Sequence, residues 1–392
     1  MLSAVGHATD GVDGFEVLGG AVAVATFTIE DNTFAIVASK DDDGVQIMDV
    51  SNPDTPVIVS SLVDQSSSSY SSYVSYDQTD HVLKDVTGVA MFTRGASTFA
   101  LITSHFDDGV QIVDVSDPRT PKAVSNARDG RGKFDVLNQA SGVSTFTVGE
   151  STYAIVVSFG DNGFQIIDVN NSSSLVAVGS GQDERADTDG KKFTELDGAS
   201  GVATFVINDS NYAIVASFRD HGVQLVDLSD PTNPLAVGAA TDGINKNNST
   251  MLKGAKSVAT FTIEDGTFAI VASKKDNFVQ IIDVSEPSTP KAVGAAAKGD
   301  EFPSLAGPNG VDTFVSGNST YALVVGKGGV QLIDVSVPSS PVGMKNAVDG
   351  QDGFHIRRFV IDYFTSQQSI AVGPPAFPSS SLPPQPPTSV PV

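Results

Sequence analysis

The chain has 392 residues, 46 acidic against 23 basic, for a formal net charge of −23, and it contains neither cysteine nor tryptophan. That charge repels phosphate backbones and anionic membrane surfaces, so nucleic acid is not an expected partner. The lack of cysteine excludes disulfides, zinc–thiolate centres and thiol nucleophiles, and no apolar run is long enough for membrane insertion.

At the N-terminus, residues 1–7 (MLSAVGH) have neither the basic nor the apolar region of a secretory leader. Two readings follow, a cytosolic protein or a chain that has lost its leader. Residues 3–11 (SAVGHATDG) nearly repeat 235–243 (LAVGAATDG), a stretch that reads as the fourth strand of an interior unit. An orphan outer strand is therefore expected at the start of the chain.

The first full unit spans 21–63. Residues 21–29 (AVAVATFTI) form a β-prone run, 30–32 (EDN) a turn, and 33–39 (TFAIVAS) a second run rich in branched and aromatic residues, which predicts a hairpin. Turn chemistry at 40–44 (KDDDG) leads into 45–50 (VQIMDV), and 52–56 (NPDTP) turns the chain into a fourth strand over 57–63. The second run is apolar on both parities, as a strand covered on both faces must be. Each sheet is thus predicted to lie sandwiched between neighbours.

The third-strand phrase appears six times, at Gln46, Gln111, Gln165, Gln224, Gln280 and Gln331, each followed three residues later by Asp49, Asp114, Asp168, Asp227, Asp283 or Asp334. Four strands per repeat of roughly 50 to 65 residues predict an all-β fold, a β-propeller of four-stranded antiparallel blades. Blades are expected over about 21–63, 85–128, 140–183, 199–242, 255–298 and 307–348. The favoured count is seven, with the last blade shared between 354–373 and 3–11, because strands from both termini would close the ring without free edges. Six complete blades with frayed ends is the alternative. One propeller domain over 1–373 follows, and the Pro/Ser-rich stretch 374–392 is predicted to be a disordered tail, since repeated proline cannot feed a central strand.

The phrase VQIIDVS at 279–285 with its EPSTP turn, together with GVATF at 201–205 and YAIVAS at 212–217, resembles the LVIVD repeat of bacterial and archaeal surface β-propellers. The likeness runs over about residues 3–348. It implies a propeller in an extracellular or cell-surface setting and brings no general catalytic assignment. Two departures stand out: 170–174 (NNSSS) lacks both turn prolines, and 327–329 (KGG) replaces the acidic turn of the sixth unit.

In a propeller, the turns between second and third strands share one face with the links from blade to blade. That face gathers Asp42, Asp43, Asp107, Asp108, Asp161, Asp220, His221 and Asp276, and any site is expected there, near the axis. As ligands, these carboxylates would suit Ca²⁺, the one candidate cofactor. As turn residues, Asp and Asn before Gly are what a tight hairpin prefers. The second reading takes precedence, because no turn has the D-x-[DN]-x-[DN]-G spacing of a calcium loop. The third-strand aspartates recur symmetrically, whereas catalysis needs one asymmetric constellation. Each is predicted to accept N–H bonds from the turn that follows it, with the glutamines packing or hydrogen bonding within the blades.

The link at 65–81 mixes serine with Tyr70, Tyr73 and Tyr76. Such a mixture suits adaptable binding loops, or else is a solvated low-complexity insertion. A Phe-x-x-Leu phrase in other links (Phe15/Leu18, Phe134/Leu137, Phe193/Leu196, Phe302/Leu305) is predicted to plug apolar gaps between blades. The leading functional expectation is a monomeric, non-enzymatic binding or surface-structural propeller that engages a protein or glycan through the link-bearing face. The alternatives are a Ca²⁺-dependent propeller hydrolase and a fragment of a larger cell-surface repeat protein.

Overall fold

A computed structural model of the chain describes residues 6–64, 81–245, 248–348 and 363–364. Blade one is the antiparallel sheet Ala21–Ile29, Asn32–Ser39, Gly44–Asp49 and Val57–Val63, paired in that order. Five further sheets of the same order cover 86–128, 140–182, 199–241, 255–297 and 308–347. Consecutive inner strands lie side by side from blade one through blade six, so the sheets stand in a ring as a β-propeller.

Hydroxyl groups on the inner strands tie one blade to the next. Each inner strand carries a bulge at its second residue. From that position Thr87, Ser141 and Ser200 donate to the carbonyls of Ala140, Ala199 and Ala255 on the following blade, at 2.9, 3.0 and 3.3 Å. Lower on the same strands, Thr145, Thr204 and Thr313 donate back to Met91, Thr145 and Thr260 of the preceding blade. The hydroxyls thereby satisfy carbonyls at inner edges that no further strand covers.

Between each pair of consecutive blades lies one apolar layer. Ile36, Val45 and Ile47 of blade one pack with Val86, Val89 and Val113 of blade two, and the pattern repeats around the ring. Every blade adds a stacked aromatic pair at the foot of its inner hairpin, from Phe27–Phe34 to Phe314–Tyr321, with centroids 5.2 to 5.6 Å apart. The link leucines Leu83, Leu137, Leu196, Leu252 and Leu305 are buried in these seams, and Leu18 is buried in a smaller cluster with Phe15, Ala35 and Met48 on blade one. Leu83 and Leu252 fill the place without the phenylalanine of the Phe-x-x-Leu phrase.

Six complete blades are present among the described residues, the count given by the alternative above. The seven-blade count had drawn on 354–373 and 3–11. Residues 6–9 pack against blade one, Gly6 at the Pro53 turn and Ala8 on the cluster of Phe15, Leu18, Ala35 and Met48, but a fourth strand needs a third to pair with and none of the described strands pairs with them. Asp10 nevertheless keeps the role of the repeat: its Oδ1 accepts the Leu18 N–H at 3.2 Å, as Asp129, Asp183 and Asp242 do for Leu137, Leu196 and Leu252. Of the C-terminal portion only Tyr363–Phe364 falls among the described residues. It pairs in parallel with the inner strand of blade one and lies beside that of blade six, which joins the two ends of the ring. The predicted tail at 374–392 lies outside the described residues.

Candidate functional site: the link-bearing face

The acidic turns on this face hold the links by their backbone. In each of blades one to five the aspartate two residues before the third strand turns its Oδ2 to a link N–H two residues before the blade's own inner strand. Asp42 takes Gly19 at 2.6 Å, Asp107 Lys84 at 3.0 Å, Asp161 Asn138 at 2.8 Å, Asp220 Asp197 at 2.6 Å and Asp276 Lys253 at 3.1 Å. The second turn residue reaches to the next blade. Asp43, Asp108, Asn162 and Asn277 accept the N–H groups of Asp85, Gln139, Gly198 and Gly307 at 2.7 to 3.0 Å, and His221 Nδ1 stands 3.1 Å from Gly254 N at the same place.

All five of these second residues have left-handed backbone, with φ between 50° and 61°. Asp, Asn and His tolerate that region better than other side chains, which is the local reason for their choice here. Burial raises the carboxyl pKa of Asp42, Asp43, Asp108, Asp161 and Asp220 above the ordinary value, against the lowering effect of the N–H groups they accept. Among the described residues, no three His, Asp or Glu side chains come together in an arrangement that could hold a metal ion.

The glutamines complete the attachment. Each of the six donates from Nε2 to a carbonyl of its own fourth strand, and five of them accept a link N–H at Oε1, for example Val82 to Gln111 at 3.1 Å and Thr194 to Gln224 at 2.9 Å. All six are buried. On the opposite face, Asp49, Asp114, Asp168, Asp227, Asp283 and Asp334 accept the N–H two residues ahead at 2.8 to 3.0 Å, closing the turn after the third strand.

One residue position breaks the repeat in chemistry while keeping it in geometry. Directly after the second strand, the six blades carry Lys40, His105, Phe159, Phe218, Lys274 and Lys327. The rings of Phe159 and Phe218, on neighbouring blades, are 6.5 Å apart. Arg219 lies over the Phe159 ring and Lys275 over the Phe218 ring, each 4.3 Å from the centroid. Lys40 pairs with Asp85 at 2.9 Å and Arg219 with Asp197 at 3.3 Å. Burial holds the His105 imidazole below its ordinary pKa, with Lys40 and Lys256 adding to the effect and Asp85 and Asp108 opposing it. The sequence reading passed over this position because it compared turns by their acids; aligning the residue after each second strand exposes it.

Glu195, in the link to blade four, was also missed. It is 7 % exposed, accepts the Thr241 hydroxyl at 2.5 Å through Oε1, and has its Oε2 buried without a partner. Burial lifts its pKa to about 7. A separate cleft of about 480 Å³, lined by Glu301, Pro303, Gln331 and Asn346 among others, sits where the fifth link passes the fourth strand of blade six. Tyr70, Tyr73 and Tyr76 lie outside the described residues.

Six like sheets in a ring, each fixing its link by the same side-chain bonds, define a β-propeller grown from one repeated unit. The profile described as LVIVD repeat matches residues 32–64, 103–129, 152–183, 201–242, 265–297 and 311–349, and the chain belongs to that repeat family. A comparison with curated proteins found no match. Among solved structures, the chain is similar to a functionally unknown protein from Desulfotomaculum acetoxidans (13 % identity, TM-score 0.53, covering 85 % of this chain and 87 % of that one). It is also similar to a putative 6-phosphogluconolactonase from Bacteroides uniformis (12 %, 0.56, 83 % and 84 %) and to the Cps50 (Swd1) β-propeller domain of Myceliophteria thermophila (10 %, 0.52, 85 % and 87 %). At these identities the likeness is one of fold. No helix among the described residues is long and apolar enough to cross a membrane.

Proposed function

We propose that this protein is a non-enzymatic binding propeller, set at the cell surface or outside the cell, that engages a protein or glycan through its link-bearing face. One observation carries the reading: the turn carboxylates are committed to backbone N–H groups of the links. Catalysis would call for carboxylates from different blades aimed at one reacting point. Here the same bonds fasten links of unlike length and sequence, so link composition is free to serve recognition on a constant scaffold. The fourth link shows what that freedom allows, since it projects a two-stranded ribbon, Gly243–Asn245 and Asn248–Thr250.

The test replaces 243–250 by a short Gly-Ser turn in one variant and deletes 65–80 in another, then measures retention on a glycan array and on immobilised cell-surface proteins. The expected result is a melting temperature within about 2 °C of the parent and retention lowered at least about fivefold by one variant or both. Unchanged retention in both variants contradicts the reading.

A further inference from the structure

We propose that the wedge between blade six and blade one is a docking slot for a β-hairpin of a partner protein, two short strands apolar on both faces and built like the second and third strands of this chain's own blades. The slot is distinct from the link-bearing face. Inner strands lie side by side from blade one to blade six, but those of blade six and blade one are not neighbours, and Tyr363–Phe364 stands between them. Apolar layers fill the five other seams; among the described residues none joins blade six to blade one.

Both walls of the wedge are apolar and incompletely covered. On blade six, Phe314 is 45 % exposed and Leu323, Val330 and Leu332 are half-buried. Their equivalents are buried in all five other blades, as Phe27, Ile36, Val45 and Ile47 are in blade one. On blade one, the wall toward the wedge carries Val24, Val37 and Val50, half-buried where blades two to six bury the matching residues, as in Val89, Ile102 and Val115. One polar atom marks the same gap. Thr87, Ser141 and Ser200 each donate across a seam to the following blade, and Asn309 holds their place on blade six, 5 % exposed, with its Oδ1 buried and without a partner. A buried amide oxygen left in that state is costly until a donor reaches it.

The frame of the wedge selects the occupant. Gly6 lies against Pro53 O as the fourth-strand glycines Gly179 and Gly238 lie against Pro231 O and Pro287 O, so residues 6–9 stand at the fourth-strand place of a further blade. Tyr363–Phe364, beside the inner strands of blades one and six, stands at the first-strand place. The second- and third-strand places between them hold none of the described strands, and the six copies of the third-strand phrase in this sequence are all used in blades one to six. A donated hairpin supplies both strands at once. Its two apolar faces cover the two walls, and its edges offer hydrogen bonds to backbone that no described strand pairs.

The test fuses the second and third strands of blade five, residues 266–283, to a soluble carrier and measures binding to the full chain by calorimetry. A control fusion carries Ile270→Lys and Ile281→Lys, which leaves the hairpin apolar on one face. The unaltered hairpin is expected to bind with a Kd below about 100 µM, and the control at least about tenfold more weakly. In the full chain, Leu332→Lys on one wall and Val37→Lys on the other should each weaken binding at least about tenfold. Phe106→Ser, in an exposed turn of blade two, should leave it unchanged. Melting temperatures within about 2 °C of the parent verify that the variants fold, and the control fusion carries the comparison for any that does not. No binding of the hairpin overturns the proposal, whether the wedge is then covered by this chain's own residues or by a second copy, which light scattering tells apart. Equal binding of the control fusion overturns it as well, as does a loss in Phe106→Ser as large as in the wall variants.

Discussion

Glu195 occupies a link position filled by Val17, Val82 and Val136 in blades one to three, so a carboxyl group sits where the repeat stores an apolar side chain. Its folded-state pKa of about 7 lies above the ordinary 4.5. An acid whose folded pKa is raised costs nothing below the unfolded value, because it is protonated in both states. The cost then grows as pH rises toward the folded pKa, and is constant above it. Glu195→Gln is therefore expected to raise the melting temperature at pH 8, by a stability gain of no more than about 3 kcal/mol, and to leave it unchanged near pH 4.5. Thermal unfolding of both proteins across that range checks this, and a gain of equal size at both pH values would refute the assigned titration. At this scale the sequence was readable where partners are near. Asp49 meets the N–H of Ser51 two residues on, a geometry that residue type and spacing specify. Asp42 and Asp43 meet partners 23 and 42 residues away, a distance over which no local pattern runs, so the sequence favoured turn chemistry over a cation without showing which N–H groups the carboxylates take.

Links and blade seams decide how one sheet sits on the next. On the fourth strand of blade five, Gly294 lies against the turn of blade six so closely that a Cβ would fall 1.9 Å from Pro338 O. Gly179 and Gly238 meet Pro231 O and Pro287 O in the same way, at 2.3 and 2.2 Å. Because the obstacle is backbone, no side-chain rearrangement relieves it. Gly294→Val is expected to destabilise the fold by about 2 kcal/mol or more, whereas Gly317→Ala, in an open turn at φ 63°, should cost about 1 kcal/mol. Denaturant midpoints of the two variants test the order. The Phe-x-x-Leu phrase announced four of the buried link positions, yet Leu83 and Leu252 carry the seam without it, so the leucine and its distance from the inner strand are the true signal. The match between 3–11 and 235–243 had the opposite fault. It identified a real role for Asp10 but implied a strand, and strand pairing depends on a neighbour that the matching residues do not encode.

For the molecule as a whole, the propeller was legible because one phrase recurs with apolar residues on both faces of every second strand, which only stacked sheets can bury. The number of blades was less so. It turns on how distant ends meet, and among the described residues the meeting is a two-residue parallel pairing of Tyr363–Phe364 with blade one. The candidate face was likewise visible as a set of turns and links. Five turns of one geometry make the role of their carboxylates a property of the entire ring, and calcium calorimetry on the full chain, with thermal unfolding in parallel, tests it most directly. If those carboxylates are spent on link N–H groups, titration should give no saturable heat and no change in melting temperature. Stoichiometric binding below about 1 mM with a higher melting temperature would contradict the account, since the same oxygens would then be serving a metal.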